Sequence, residues 1–314
     1  MEISDYIFEI NKLRSKKNAV ILAHYYQTGD IQDIADHIGD SLELARRARM
    51  TDAQIIVLAG VKFMAETAKI LSPQKKVLIP DTEAGCSLAD SCKPEEFKKF
   101  INDNPGRTVV TYVNTTAEIK ALSDIICTSS NALKIIESLP PGEKIIFAPD
   151  RNLGNYIKSK TTRDIIVWEG TCHVHEAFSL EGIIKLKEEF QSAKIIVHPE
   201  CELPVRMVAD FIGSTSALLN YTKQSSEKVF IVATEPGIFH QMIKFNPDKK
   251  FIPVPPKDST CACSECNFMK LITIKKIYES LRDEKFEIIL EEELMEKAAK
   301  PLVRMMEISE KLNI

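Results

Sequence analysis

Short apolar runs alternate with amphipathic stretches along the whole chain. AVILAHYY (19–26), TVVTYVN (108–114) and KIIVHPE (194–200) are aliphatic runs that turn polar at their ends, as strands buried on both faces do. The stretches between such runs carry one apolar stripe at helical spacing, so the pattern predicts βαβ units with parallel sheets and an α/β fold class.

The pattern repeats three times. Each of these strands is followed by a helical stretch and then a small hydroxyl residue at one fixed distance: His24 to Ser41, Tyr112 to Ser129 and His198 to Thr215 are each 17 residues apart. A second strand follows each hydroxyl, at QIIVLAG (54–60), KIIFAPD (144–150) and KVFIVATE (228–235). A further helix then leads to a third, at KVLIP (76–80), DIIVWEG (164–170) and KFIPVP (250–255). Just past each third strand comes a cysteine: Cys86 in DTEAGCSLAD, Cys172 in EGTCHVHE, and the cluster Cys261, Cys263 and Cys266 in TCACSECNFMK. The repeats predict three small α/β domains, 1–105, 106–191 and 192–269, followed by a helical segment, 270–314, that packs back on the first. Ligands of open parallel sheets bind outside the carboxyl ends of the strands. Three domains facing one another would therefore bring three cysteine loops to one centre.

Composition narrows the chemistry. A formal net charge of −4 gives no support for nucleic-acid binding, and no apolar run approaches the length of a membrane span. The start, MEISDYIFEINKLRSKK, reads as an amphipathic helix, and the expected location is cytoplasmic. Thiols stay reduced there, so clustered cysteines point to ligation or catalysis rather than to disulfides. The C-x-C-x-x-C spacing alone does not choose between zinc and an iron–sulfur cluster. Three thiolates without a fourth suit a 4Fe–4S cluster with one open iron, a Lewis acid for dehydration chemistry. The alternative that Cys86 and Cys172 are small buried apolar residues stays open. Cys127, inside a strand-like run, reads as core, whereas Cys92 and Cys201 are ambiguous.

His24, Tyr26, Tyr112, Asn114, His198 and Glu200 all fall at strand ends, where parallel sheets deliver side chains to a site. Histidine, glutamate and tyrosine exchange protons when their environments suit it. Ser41, Ser129 and Thr215 read as helix N-caps, and helix N-termini at strand ends attract carboxylate or phosphate. No glycine-rich nucleotide loop is present.

These segments resemble the quinolinate synthases, iron–sulfur enzymes of de novo NAD biosynthesis. The resemblance is carried by ILAHYYQTGDIQDIADHIGDSLELAR, GVKFMAETAKIL, IPDTEAGCSLADSC, VVTYVNTTAEIKALSDIICTSSNA, FAPDRNLG, VHPEC and CSECNFMK, between residues 20 and 270. It implies three homologous αβα domains in a pseudo-threefold arrangement around a central cluster and active site. It also implies condensation of iminoaspartate with dihydroxyacetone phosphate to quinolinate, with loss of phosphate and two waters, and a functional link to the enzyme that supplies iminoaspartate. Under the resemblance Cys86 and Cys172 ligate a 4Fe–4S cluster. The third ligand is Cys266, with Cys263 as fallback, because the family's Pro-x-Met is Asn267-Phe268-Met269 here and lacks the proline. Substrate-binding positions carry over to His24, Ser41, Tyr112, Asn114, Ser129, His198, Glu200 and Thr215, with Met64 lining the pocket. Proton transfer carries over to Tyr26 and Glu200, partnered by His24 and His198. The roles of His173, His175 and Glu176 stay open, with packing expected for at least one. The rival readings are another iron–sulfur hydro-lyase acting on a small hydroxy-acid, and a non-catalytic scaffold holding zinc at CACSEC.

Overall fold

A computed structural model describes residues 2–258 and 264–314; Cys261 and Cys263 lie outside the described residues. Three parallel four-stranded sheets follow one another along the chain. The first contains β1 (Ala19–His24), β2 (His37–Gly39), β3 (Ile55–Ala59) and β4 (Lys76–Leu78), in the order β2-β1-β3-β4. The second contains β5 (Thr108–Tyr112), β6 (Ile125–Cys127), β7 (Ile145–Ala148) and β8 (Ile165–Val167), in the order β6-β5-β7-β8. The third contains β9 (Lys194–Val197), β10 (Phe211–Ile212), β11 (Val229–Ala233) and β12 (Lys250–Pro253), in the order β10-β9-β11-β12. The α/β class and the threefold repetition read from the sequence are both present.

Each sheet has one strand more than the sequence pattern suggested. The edge strands β2, β6 and β10 fall between the first strand of a repeat and its hydroxyl. HIG and FI are too short to show any period, and only the strand-like run IIC ending at Cys127 hinted at β6. An aspartate fixes each of these edges in the same way. The Asp36, Asp124 and Asp210 carboxylates accept the backbone N–H of Ile21, Val109 and Ile195, each at 2.8 Å. Their own N–H groups donate back to the carbonyls of those same three residues.

The central strands are aliphatic because helices cover both faces; Ile21, Ile56, Val110, Ile145, Ile196 and Ile231 are all fully buried. Cys127 belongs to this core within β6. Cys92 packs with Phe97 and Val109, and Cys201, whose thiol donates to the Ala233 carbonyl at 3.4 Å, lies in the core of the third sheet.

The three sheets meet at Asp40. Its Oδ1 accepts Leu42 and Glu43 N–H, which makes it the N-cap of the helix Ser41–Met50. Its Oδ2 accepts the hydroxyls of Ser130 at 2.9 Å and Ser216 at 2.7 Å, one from each of the other two repeats.

The C-terminal segment departs from the expectation that all of 270–314 packs on the first repeat. The helix Ile274–Asp283 does lie against the helix Ile3–Lys16 there. The last helix, Glu292–Lys311, instead lies mainly on the helix Ala117–Ala121 and β6 of the second repeat, reaching the first through the helix Lys62–Leu71. Its stripe of Ala298, Leu302, Met305 and Met306 covers the apolar flank that the edge strand β6 would otherwise leave bare, and Ser309 accepts a hydrogen bond from Asn131 at 3.1 Å. Among the described residues no helix is long and apolar enough to cross a membrane.

Candidate active site

The carboxyl ends of the first strands and all three cysteine loops open into one cavity. Among the described residues, its lining includes every one proposed from the sequence: His24, Tyr26, Ser41, Met64, Cys86, Tyr112, Asn114, Ser129, Cys172, His198, Glu200, Thr215 and Cys266. Asp40, Phe63, Thr128, His175, Glu235 and Met269 line it as well, and the sequence had assigned no site role to any of these.

The cysteines share one local design. Cys86, Cys172 and Cys266 are the N-cap residues of the one-turn helices Ser87–Asp90, His173–Glu176 and Asn267–Lys270. The cap position puts each sulfur at a helix N-terminus, where backbone N–H groups favour its ionised form: those of Leu88 and Ala89 for Cys86, that of His175 for Cys172, and those of Phe268 and Met269 for Cys266, none of them closing a hydrogen bond to the sulfur. None of the three is in a disulfide. Burial nevertheless pushes all three thiols up, Cys86 to about 12, and the charges of neighbouring sulfurs add to the rise at Cys86 and Cys172. Free thiols here keep their protons; bound metal supplies the positive charge that would convert them to thiolates. Three convergent sulfurs, each at the cap of a one-turn helix, are a donor set that fits an iron–sulfur cluster. Cys263, the fallback ligand, lies outside the described residues.

The strand-end residues repeat a second device. Tyr26 N–H donates to His24 Nδ1 at 3.2 Å, and Glu200 N–H donates to His198 Nδ1 at 3.4 Å. With Nδ1 accepting, the ring proton of each neutral imidazole belongs on Nε2. Burial lowers His24 to about 4 and His198 to about 3, so both rings are neutral donors at ordinary pH.

His175, from the cysteine loop of the second repeat, stacks on His198 with ring centroids 4.5 Å apart. Its Nδ1 is 2.9 Å from Glu200 Oε2 and 3.3 Å from Cys172 Sγ, and its Nε2 is 3.1 Å from Thr234 Oγ1. Thr234 in turn meets the Tyr26 hydroxyl at 2.8 Å, and that hydroxyl also meets Thr215 Oγ1 at 2.9 Å. A continuous set of contacts thus joins Tyr26 just past β1 to Glu200 past β9. Cys172, His175 and Glu200 also bring three possible metal donors within 4.8 Å, but the His175–Glu200 contact already occupies two of them.

Electrostatics separates the two candidate proton-transfer groups. Burial alone would raise Glu200, but His175 beside it, with hydrogen bonds from His175 and Tyr112, outweighs it and holds the carboxyl well below its usual range. Burial drives Tyr26 well above 10, so its hydroxyl keeps its proton. Tyr112, also raised chiefly by burial, donates to Glu200. Lys120 is fully buried on the seam of the first two repeats and donates to the Val113 and Thr115 carbonyls, fixing the loop that carries Asn114; burial lowers it to about 8.

Ser41, Ser129 and Thr215 do line the cavity, but they are not helix caps. Asp40 and Ser214 take the cap positions, placing Ser41 and Thr215 at the first helical position, while Ser129 lies in the turn before the cap Asn131. A carboxylate or hydroxyl one residue upstream satisfies the helix end, which leaves the Ser41 hydroxyl to the cavity and the Thr215 hydroxyl to Tyr26. Of the residues left open, His175 borders the cavity; His173 Nδ1 meets Ser87 Oγ at 2.6 Å, and Glu176 pairs with Arg151 at 3.0 Å.

Three parallel α/β units around one cavity, lined by three sulfurs and by titratable side chains at the strand ends, have the form of an enzyme site. The family model described as "Quinolinate synthetase A protein" matches residues 8–307. The quinolinate synthase of Microcystis aeruginosa is 58% identical over 305 residues, covering 97% of this chain and 95% of that protein. Those of a Synechocystis strain and of Chloroherpeton thalassium are 57% and 55% identical, each over 97% of the chain and at least 95% of their own length. The chain belongs to the quinolinate synthase family, enzymes of NAD biosynthesis that use a 4Fe–4S cluster, and it has that family's activity.

Proposed function

We propose that this cavity condenses iminoaspartate with dihydroxyacetone phosphate to quinolinate, and that Cys86, Cys172 and Cys266 hold its 4Fe–4S cluster with one iron left without a protein ligand. The observation that carries the reading is that three sulfurs at helix caps and the whole strand-end set line a single cavity. When bound, the cluster supplies a Lewis acid for substrate oxygen in the dehydration. Residues 1–105, 106–191 and 192–269 are the three domains in this reading, with 270–314 as a C-terminal segment.

The remaining roles follow from protonation state and position. Neutral His24 and His198 donate Nε2–H to substrate carboxylate or carbonyl oxygen. Ser41, Ser129 and Thr215, with Asn114, hold the phosphate and carboxylates. Glu200, ionised in the free enzyme, accepts the proton removed next to the imine or carbonyl, and Tyr26, which keeps its proton, returns one to substrate oxygen. Tyr112 orients Glu200 through its hydrogen bond. Met64, Phe63 and Met269 supply apolar wall that limits water.

Serine variants test the cluster assignment. Cys86→Ser, Cys172→Ser and Cys266→Ser, each purified without oxygen, are expected to lose iron and quinolinate formation together. Cys201→Ala, altered in the core only, is expected to retain both. Full iron content in any one of the three serine variants contradicts the ligand set.

A further inference from the structure

Glu235 lies two residues beyond β11, the place that Val61 takes beyond β3 and Asp150 beyond β7. Val61 carries no charge, and Asp150 caps the helix Arg151–Lys158 through Leu153 N–H at 2.6 Å. Glu235, fully buried, does something else. Its Oε1 accepts from Lys270 Nζ at 2.8 Å and from the Cys266 N–H at 3.3 Å, and its Oε2 accepts from Gly237 N–H at 2.7 Å. The same Lys270 ammonium donates to the Tyr26 carbonyl at 2.7 Å. One ion pair therefore holds the backbone of a cysteine at one end and of a cavity tyrosine at the other.

The far side of Tyr26 is closed by the turn Pro236–Ile238. A Cβ on Gly237 would lie 2.7 Å from Tyr26 C and 2.8 Å from its Cα, both backbone atoms that cannot swing aside. Gln32 extends the same clamp, donating from its amide to the carbonyls of Tyr25, Gln27 and Gly237. An ion pair with a buried carboxylate adds little stability over well-packed apolar side chains of similar volume, so its hydrogen bonds to neighbouring atoms are what it contributes here. Here every bond of the pair goes to an atom that positions the site.

We propose that the Glu235–Lys270 pair is a positioning strut that couples the seating of Cys266 on the cluster to the placement of Tyr26. The inference rests on Cys266 being a ligand and Tyr26 a proton-transfer group. Neither Glu235 nor Lys270 exchanges protons with substrate in this scheme; both act through the residues they hold.

Lys270→Met alone would strand a buried carboxylate, so the variant of choice is Glu235→Gln with Lys270→Met, which removes both charges. It is compared with the wild type, both loaded anaerobically. The strut predicts two changes at opposite ends: iron release to a chelator and hydrogen exchange in the segment 24–32 each accelerate, roughly 3- to 30-fold. It also predicts that kcat falls roughly 10- to 100-fold with little change in KM, the signature of a displaced catalytic group. Acceleration at only one end, or at neither, overturns the coupling, as does a wild-type kcat. A Cys266→Ser protein that still carries full iron would instead overturn the ligand assignment on which the strut depends, so the two failures are distinguishable.

Discussion

The cysteine loops and the strand-end side chains border the same cavity, yet they are held by different means. Each candidate ligand is fixed locally: it caps a one-turn helix within its own loop. The strand-end groups are fixed across the seams. Tyr26 of the first repeat leans on Thr215 and Thr234 of the third, and Glu200 of the third is held by Tyr112 and His175 of the second. Local devices can be altered one loop at a time. Groups in one network couple, so a change at any member is felt by the others.

The sharpest way to separate the two regions is Glu200→Gln. The substitution removes the ionised acceptor but leaves every sulfur in place, so kcat is expected to fall roughly 10²- to 10⁴-fold with iron content unchanged. Loss of iron in this variant would show that the two regions are not independent.

A smaller effect is expected one step along the network. Thr234→Val keeps the shape but leaves the Tyr26 hydroxyl with Thr215 alone and removes the partner of His175 Nε2. Stability should drop by about 1–3 kcal/mol, the cost of unmade buried hydrogen bonds, and kcat by several-fold. Denaturant midpoints and steady-state rates check both; an unchanged midpoint would mean that the contacts carry no weight.

The smallest effect is one of shape rather than size. Burial keeps the His24 ring neutral until the pH falls to about 4, so its Nε2 stays a donor throughout the range from pH 6 to 8. In that range His24→Gln should lower kcat/KM by one constant factor, and the variant's pH profile should run parallel to that of the wild type. A profile in which the wild type alone shows an ionisation near 6.5 would mean that the ring titrates in the free enzyme.

How much of this was legible depended on distance along the chain. The long aliphatic runs announced β1, β5 and β9 and their successors, because a strand buried on both faces cannot hide its composition. The edge strands HIG and FI were too short to carry a pattern. The cysteines were legible because each is placed by its own loop at one point of the repeat. Asp40, His175, Thr234 and Glu235 were not, because their partners lie far away in sequence, as Ser130 and Ser216 do for Asp40. A signal for two of them did exist. Thr234 and Glu235 follow β11 as Asp150 follows β7, so the strand-end rule applied to the second run of each repeat would have found them. Asp40 had its own signal, since aspartate directly before Ser41 is as good an N-cap as serine. The second-repeat position of the last helix had none, because an amphipathic stripe does not say which apolar flank it will cover.

The central claim is that three loops from three repeats hold one iron–sulfur cluster. Iron, acid-labile sulfide and zinc per chain, measured on protein purified without oxygen, test it most directly. The account predicts about four irons and about four sulfides per chain with little zinc. About one zinc per chain and no sulfide, even after anaerobic reconstitution, would contradict it.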